Sequence, residues 1–401
     1  MRYRAQLDWL NFFLADVRGG LGPYVGVFLL TQAHWDQATI GAVLTVSGLI
    51  GIALHVPIGA LIDATRFKRG LLIAGVAALT GSALAIAWAP TLPVVLAADI
   101  VMAALGAVFA PTVAAITLGL VGRAGLAERL GRNAACDRAG NIFIGAVAGV
   151  IGWEFGQRAV FHLVPLFAVL TTLTVLAIPA GAIDHEQARG LDEDRPGGER
   201  QPAGWHVLLE RRPLLVLAAG VALFHFANAP MLALLTQKLA LAHAGAESVL
   251  VAACVVTAQL VSVPTALLVG ARADTWGRKP LLLAAFAALP LRGVLYTVSD
   301  QPAFLIAVQA LDGIALGILD ALIALVLADI MRGTGRYNAA RGVVGTVQGV
   351  GGSLSNVVAG LLVVTAGYAA AFLTLAAVGL SAFVVMLTAM PETGGKGAPP
   401  A

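Results

Sequence analysis

Hydrophobic residues in this chain come in long unbroken blocks, with neither the alternation of a half-buried strand nor the narrow stripe of a surface helix. Blocks of about 20 apolar residues, enough to cross the hydrocarbon core as a helix, recur from end to end. Their spacing predicts helices near 9–30, 38–62, 70–89, 93–120, 134–153, 159–182, 213–237, 248–271, 280–298, 302–329, 339–365 and 368–390, twelve in all. The stretch 183–212 breaks the pattern. It holds Asp184-His185-Glu186 and Asp192-Glu193-Asp194-Arg195-Pro196, the composition of a linker. The expected fold is therefore an all-α membrane protein of twelve transmembrane helices in two pseudo-symmetric six-helix bundles, 1–182 and 213–401, with 183–212 as a cytoplasmic linker.

The two halves repeat one another. Gly59-Ala-Leu-Ile-Asp63-Ala-Thr-Arg66-Phe-Lys68-Arg69 closes the second apolar block, and Gly270-Ala-Arg-Ala-Asp274-Thr-Trp-Gly277-Arg278-Lys279-Pro280 closes the eighth. Gly131-Arg132-Asn133 before the fifth helix answers Gly335-Arg336-Tyr337-Asn338 before the eleventh. Gly22-Pro23 in the first helix answers Pro230 in the seventh.

The repeated turn resembles the G-x-x-x-D-x-x-G-R-K signature that the major facilitator superfamily carries between its second and third helices and between its eighth and ninth. The copy at 270–279 fits in full, whereas the first has Arg66 at the turn glycine. The resemblance implies transport by alternating access between parallel repeats. It also implies a cytoplasmic latch built from Gly59, Asp63, Arg66 and Lys68 in one half and Gly270, Asp274, Gly277, Arg278 and Lys279 in the other. Asp137 and Arg138 at the start of the fifth helix, and Arg341 at the start of the eleventh, resemble partners of the two loop aspartates. Snorkelling at the interface is the competing role for these three. Gly22, Pro23 and Pro230 are expected to bend their helices and serve as gates.

Composition agrees with a life in lipid: 59% of the 401 residues are hydrophobic and 12% charged, too little polar surface for a soluble globule. Asp16 and Arg18 inside the first block, and no small-residue cleavage site, mark it as a membrane helix in place of a signal peptide. Lys and Arg concentrate in alternate loops, which places both termini and the linker on the cytoplasmic side of the cell membrane. The net charge of +3 is scattered, and nucleic acid is not an expected partner. Cys136 and Cys254 fit no metal or redox spacing and read as packing residues. No P-loop, dinucleotide fingerprint or H-E-x-x-H is present. No enzyme activity, cofactor or metal is expected, and the protein is expected to act as a monomer.

A charge at bilayer depth costs roughly 2.5–3.5 kcal/mol on insertion scales, so each one calls for a partner, a cavity or a task. Asp16 and Arg18 fall on the first helix, Asp99 on the fourth, His225 and Asn228 on the seventh, and Gln309, Asp312 and Asp320 on the tenth. In the superfamily these four helices line the cavity. Asp312 is the first choice for a proton carrier, with Asp16, Asp99 and Asp320 behind it; Arg18, His225, Asn228 and Gln309 are expected to line the substrate cavity. A purely structural ion pair to Arg18 is the competing role for Asp16 and Asp312. Met102 stands where many members have an arginine four residues before the glycine, so Arg18 is expected to supply any cavity cation. Arg292, counted near the outer end of the ninth helix, is expected to snorkel. The expected function is proton-coupled efflux of a small organic molecule. Proton-driven uptake of a small, anionic metabolite and a non-transporting receptor are the alternatives.

Overall fold

The computed structural model describes residues 3–15, 22–65, 67–184, 206–334 and 336–394; within these, the side chains at 56, 59, 60, 63, 64, 123–125 and 127 are not described. Among the described residues all regular structure is helical. The helices are α1 (Arg4–Ala15), α2 (Gly22–Thr31), α3 (Gln37–Ala64), α4 (Lys68–Trp88), α5 (Leu92–Phe155), α6 (Gln157–Val160), α7 (Leu163–Leu176), α8 (Val207–Glu210), α9 (Arg212–Ala242), α10 (Glu247–Trp276), α11 (Arg278–Leu295), α12 (Pro302–Ile330) and α13 (Tyr337–Ala389).

Nine described stretches are long and apolar enough to cross a membrane. One of them, α13, is two spans joined at Gly367, where φ is 86°. The α1–α2 stretch and α11 supply the remaining two of the twelve expected segments. The expected loop at 121–133 is almost wholly helical: α5 runs through it with a single break at Gly122 (φ 67°). Its residues explain this, because Ala, Leu, Glu and Arg are good helix formers and polarity alone does not end a helix. The repeated turns are likewise shorter than expected. α10 continues to Trp276 and the chain reverses at Gly277 alone, whose φ of 87° a side chain would strain.

Proline placement keeps the repeat: Pro57 and Pro264 lie inside α3 and α10, and Pro230 lies inside α9. Pro23 sits in the first turn of α2, where its missing N–H interrupts no helical bond.

The chain divides into two compact units. Unit 1 comprises Met1–His34, Val46–Gly197 and His243–Ala252, and in it α1 and α4 each pack on both α5 and α7. Unit 2 comprises Trp35–Thr45, Gly198–Ala242 and Ala253–Ala401, where α9 packs on α13, and α11 on α12 and α13. The first turns of α3 join unit 2 through polar contacts to α13. Gln37 donates to Tyr368 Oη (2.9 Å) and Thr45 Oγ1 to the Ser353 carbonyl (2.6 Å). Within unit 2 the backbones come close: a Cβ at Gly351 would lie 2.5 Å from the Ala222 carbonyl oxygen, and one at Gly317 2.5 Å from that of Ser262. Small residues are what permit such approach in a membrane protein.

Candidate substrate cavity and its buried ion pair

Unit 2 contains a cavity of about 280 Å³ walled by α9, α12 and α13. Each wall is a helical stripe. Asp312, Leu316, Asp320, Ile323 and Leu327 follow one another at three- and four-residue steps on α12, with Leu319 beside them; Phe224, His225 and Asn228 face it from α9, and Arg341, Val344, Gly345 and Gln348 from α13. Residues at such steps share one helix face, so the polar groups of three helices converge on one space.

Asp312 is paired. Arg292 of α11 reaches it through Nη1, while Nη2 donates to Asn228 Oδ1 at 2.5 Å and lies 3.3 Å from Met231 Sδ. The guanidinium carbon stands 5.8 Å from the centre of the Tyr296 ring. The Arg292 side chain is 2% exposed and that of Asp312 15%. The arginine is thus caged in the helix packing, and the carboxylate faces the cavity. Tyr296 in turn donates from Oη to Gln309 Oε1 (2.8 Å), and its carbonyl accepts from Lys238 Nζ (3.2 Å). Lys238 also pairs with Asp300 (2.6 Å).

His225 Nδ1 lies 3.0 Å from the Val221 carbonyl. A carbonyl only accepts, so Nδ1 carries the hydrogen and Nε2 is left for the cavity.

The expected lining residues divide accordingly. Asp312, Asp320, His225 and Asn228 come together in the cavity, and Arg341, expected at the latch, is there as well. Gln309 is fully buried beneath Tyr296 and is not among the lining residues. Asp99 is in unit 1, where it accepts from Ser47 Oγ. Asp16, Arg18 and Arg66 lie outside the described residues, as do the side chains at Gly59 and Asp63.

The second repeated turn is tied within its own unit. Arg278 pairs with Asp274 at 2.8 Å and with Asp329 at 3.1 Å. Glu392, just beyond α13, accepts from the backbone N–H of Arg278 (2.8 Å) and Lys279 (3.1 Å), capping α11. In the first repeat Lys68 takes the equivalent inward role. It is 1% exposed, with Nζ donating to the carbonyls of Ile62 (3.0 Å) and Thr65 (2.9 Å). Asp137 accepts from Asn141 Nδ2 at 3.3 Å, one turn along its own helix, and Arg138 follows it on α5. At the start of α1, Asp8 accepts from Arg129 (2.5 Å) and, through two oxygens, from Arg132 (2.9 and 2.6 Å). The Arg132 hydrogen bonds, with those of Arg129, hold the Asp8 carboxyl below the usual carboxylate range.

Arg292 corrects the sequence reading: it does not snorkel. The missed signal is periodic, because Leu281, Leu282, Ala285, Phe286, Leu289, Arg292 and Tyr296 fall on one stripe, all buried. An arginine inside an apolar stripe points inward and needs an internal partner.

The family profile described as Major Facilitator Superfamily matches residues 8–261 and 214–401. The chain is 46% identical over 392 residues to an uncharacterized MFS-type transporter of Mycobacterium tuberculosis, in strains CDC 1551 and H37Rv, covering 98% of this chain and 94% of the relative. Among solved structures it is similar to the nucleoside transporter NupG, with a TM-score of 0.77 at 14% identity over 97% of this chain and 100% of that one. It is also similar to a D-xylose-proton symporter, with a TM-score of 0.73 at 14% identity over 98% of each chain.

Proposed function

The chain belongs to the major facilitator superfamily and is a multi-pass membrane transporter, and from that premise we propose that it couples movement of a small organic molecule to protons at Asp312. The observation that carries this reading is the Arg292–Asp312 pair, with its arginine buried and its carboxylate on the cavity wall. Protonating Asp312 removes one negative charge beside a fixed positive one, so the site gains one unit of charge. An anionic substrate then binds together with the proton, and a cationic substrate competes with it. Efflux by antiport is the direction taken from the sequence. Likeness to a D-xylose-proton symporter favours uptake by symport as the second reading.

In this scheme 1–182 and 213–401 are the moving halves, joined by 183–212, and both termini are cytoplasmic. Asp16, Asp99 and Asp320 are auxiliary proton sites, and Arg18 adds a cavity cation. His225, Asn228 and Arg341 contact substrate; Gln309 positions Tyr296. Asp63 with Lys68, and Asp274 with Arg278 and Lys279, steady the cytoplasmic turns, and Asp137 and Arg138 sit at the same rim. Pro230, inside α9, supplies a bending point, Gly22 and Pro23 open α2 and set its entry angle in place of bending it, and the transporting unit is a monomer. The test begins with a thermal-shift screen of polar metabolites on purified protein, followed by flux of the hit in proteoliposomes. Asp312→Asn abolishes accumulation driven by a pH gradient and leaves substrate exchange in place. Unchanged accumulation in that variant removes Asp312 from the coupling role.

A further inference from the structure

Unit 1 carries a feature the cavity of unit 2 does not use. Two adjoining grooves, of about 220 and 360 Å³, run between α4 and α7 and meet at Ile73. From Arg69 to Thr80 they span twelve residues of α4, a rise of about 16 Å. The far part is bounded by Val76, Val169 and Leu173, and it is open: Val169 is 56% and Leu173 58% exposed. The near part ends in a cation. Arg69 Nε donates to the Val175 carbonyl and Nη2 to that of Leu176, both at 3.2 Å. These oxygens belong to the last turn of α7, where the regular helical partners run out, the Val175 carbonyl accepting also from the Ile178 N–H at 3.2 Å.

The guanidinium is therefore pinned at the groove mouth, a fixed cation. Among the described residues no carboxylate is paired with it. Phe67 lies across Gly70 beside it, 75% exposed, in space that any side chain at 70 would occupy.

An apolar channel about three turns long with one fixed cation at its end is complementary to an amphipathic anion. We propose that the α4–α7 groove is a binding site for an anionic glycerophospholipid, with its phosphate on Arg69 and one acyl chain along Ile73, Val76 and Leu173. The charge sits at the depth of the basic turn between α3 and α4, where headgroups of that leaflet lie, and basic pockets between membrane helices on that side suit such headgroups. Annular lipid would cover the same apolar surface without preference for charge, and free phosphate would use Arg69 without needing the channel.

The test is native mass spectrometry of the full chain in detergent with equimolar phosphatidylglycerol and phosphatidylcholine of the same acyl chains. One basic residue near a headgroup is worth about 1 kcal/mol, so wild type retains phosphatidylglycerol about fivefold over phosphatidylcholine. Arg69→Gln brings that ratio to about one, Arg69→Lys preserves part of it, and Ile73→Trp, which fills the channel, lowers retention of the acidic lipid while Arg69 remains. An equal ratio in wild type and Arg69→Gln overturns the site. So does displacement of the bound lipid by glycerol 3-phosphate alone, which would mark a simple anion contact, or undiminished retention in Ile73→Trp.

Discussion

Removing one member of the Arg292–Asp312 pair should harm the protein more than removing both. Arg292 is 2% exposed and held by Asn228 and Met231, so it cannot swing to water when its counter-charge is lost. Two unit charges about 4 Å apart attract by roughly 4 kcal/mol at an effective dielectric constant near 20. Breaking a buried pair by deleting one partner costs about 3–5 kcal/mol, because a desolvated charge is left behind. Asp312→Asn keeps an oxygen that accepts from the guanidinium, which places it at the lower end, near 3 kcal/mol. Arg292→Gln strands the carboxylate, but Asp312 faces the cavity and regains water there, so its cost is similar or smaller. The double variant leaves no charge and should recover most of the loss. A double-mutant cycle on unfolding in detergent, with Lys238→Gln as a rim control, reads the coupling directly as about 4 kcal/mol, the size of the attraction between the two charges. Additive single costs, or a double variant less stable than either single one, would refute the idea that the two charges are interdependent.

Glu392→Ala removes the acceptor for the N–H groups of Arg278 and Lys279. Loss of a helix cap of this kind costs about 1 kcal/mol and should appear as faster amide exchange at Arg278 and Lys279. Gly277→Ala forces a side chain into φ 87°, at a cost of about 1–2 kcal/mol read as a lower unfolding midpoint. Gly317→Val places methyl groups against the Ser262 carbonyl and should destabilise by about 1–3 kcal/mol or prevent folding, checked by monodispersity after extraction. The Asp8 carboxyl titrates lower folded than unfolded because Arg132 and Arg129 hold it. Its stabilisation is present above the ordinary carboxylate range and is lost as pH falls through the lower folded value. Thermal stability of wild type should therefore drop across that acidic window, and that of Asp8→Asn should start lower and stay flat there.

Much of the fold was legible because lipid imposes a single rule: block length counts spans, and the paired turns at 59–69 and 270–280 reveal the repeat. Helix ends were less legible. The 121–133 stretch is polar yet helical, since membrane depth and helicity are set by different properties of its residues. His225, Asn228, Asp312 and Asp320 were found as charged or polar positions on the expected lining helices. Arg292 was missed because depth was counted from the helix end without asking which face it occupied, and its stripe with Leu289 and Tyr296 carries that information. The pairing itself depends on how α11 rotates against α9 and α12, which no local pattern encodes. Gln309 sits one turn before Asp312 on the same side of the helix, but it is fully buried against Tyr296, and that bond follows from the same rotation.

Proton movement accompanying substrate is the most direct test of Asp312 as the coupling group. In proteoliposomes loaded with a pH-sensitive dye, adding the substrate found by thermal shift to wild type should change the internal pH with no imposed gradient. Asp312→Asn, still binding that substrate by thermal shift, should leave the dye signal unchanged. An identical pH trace from wild type and Asp312→Asn would contradict the account.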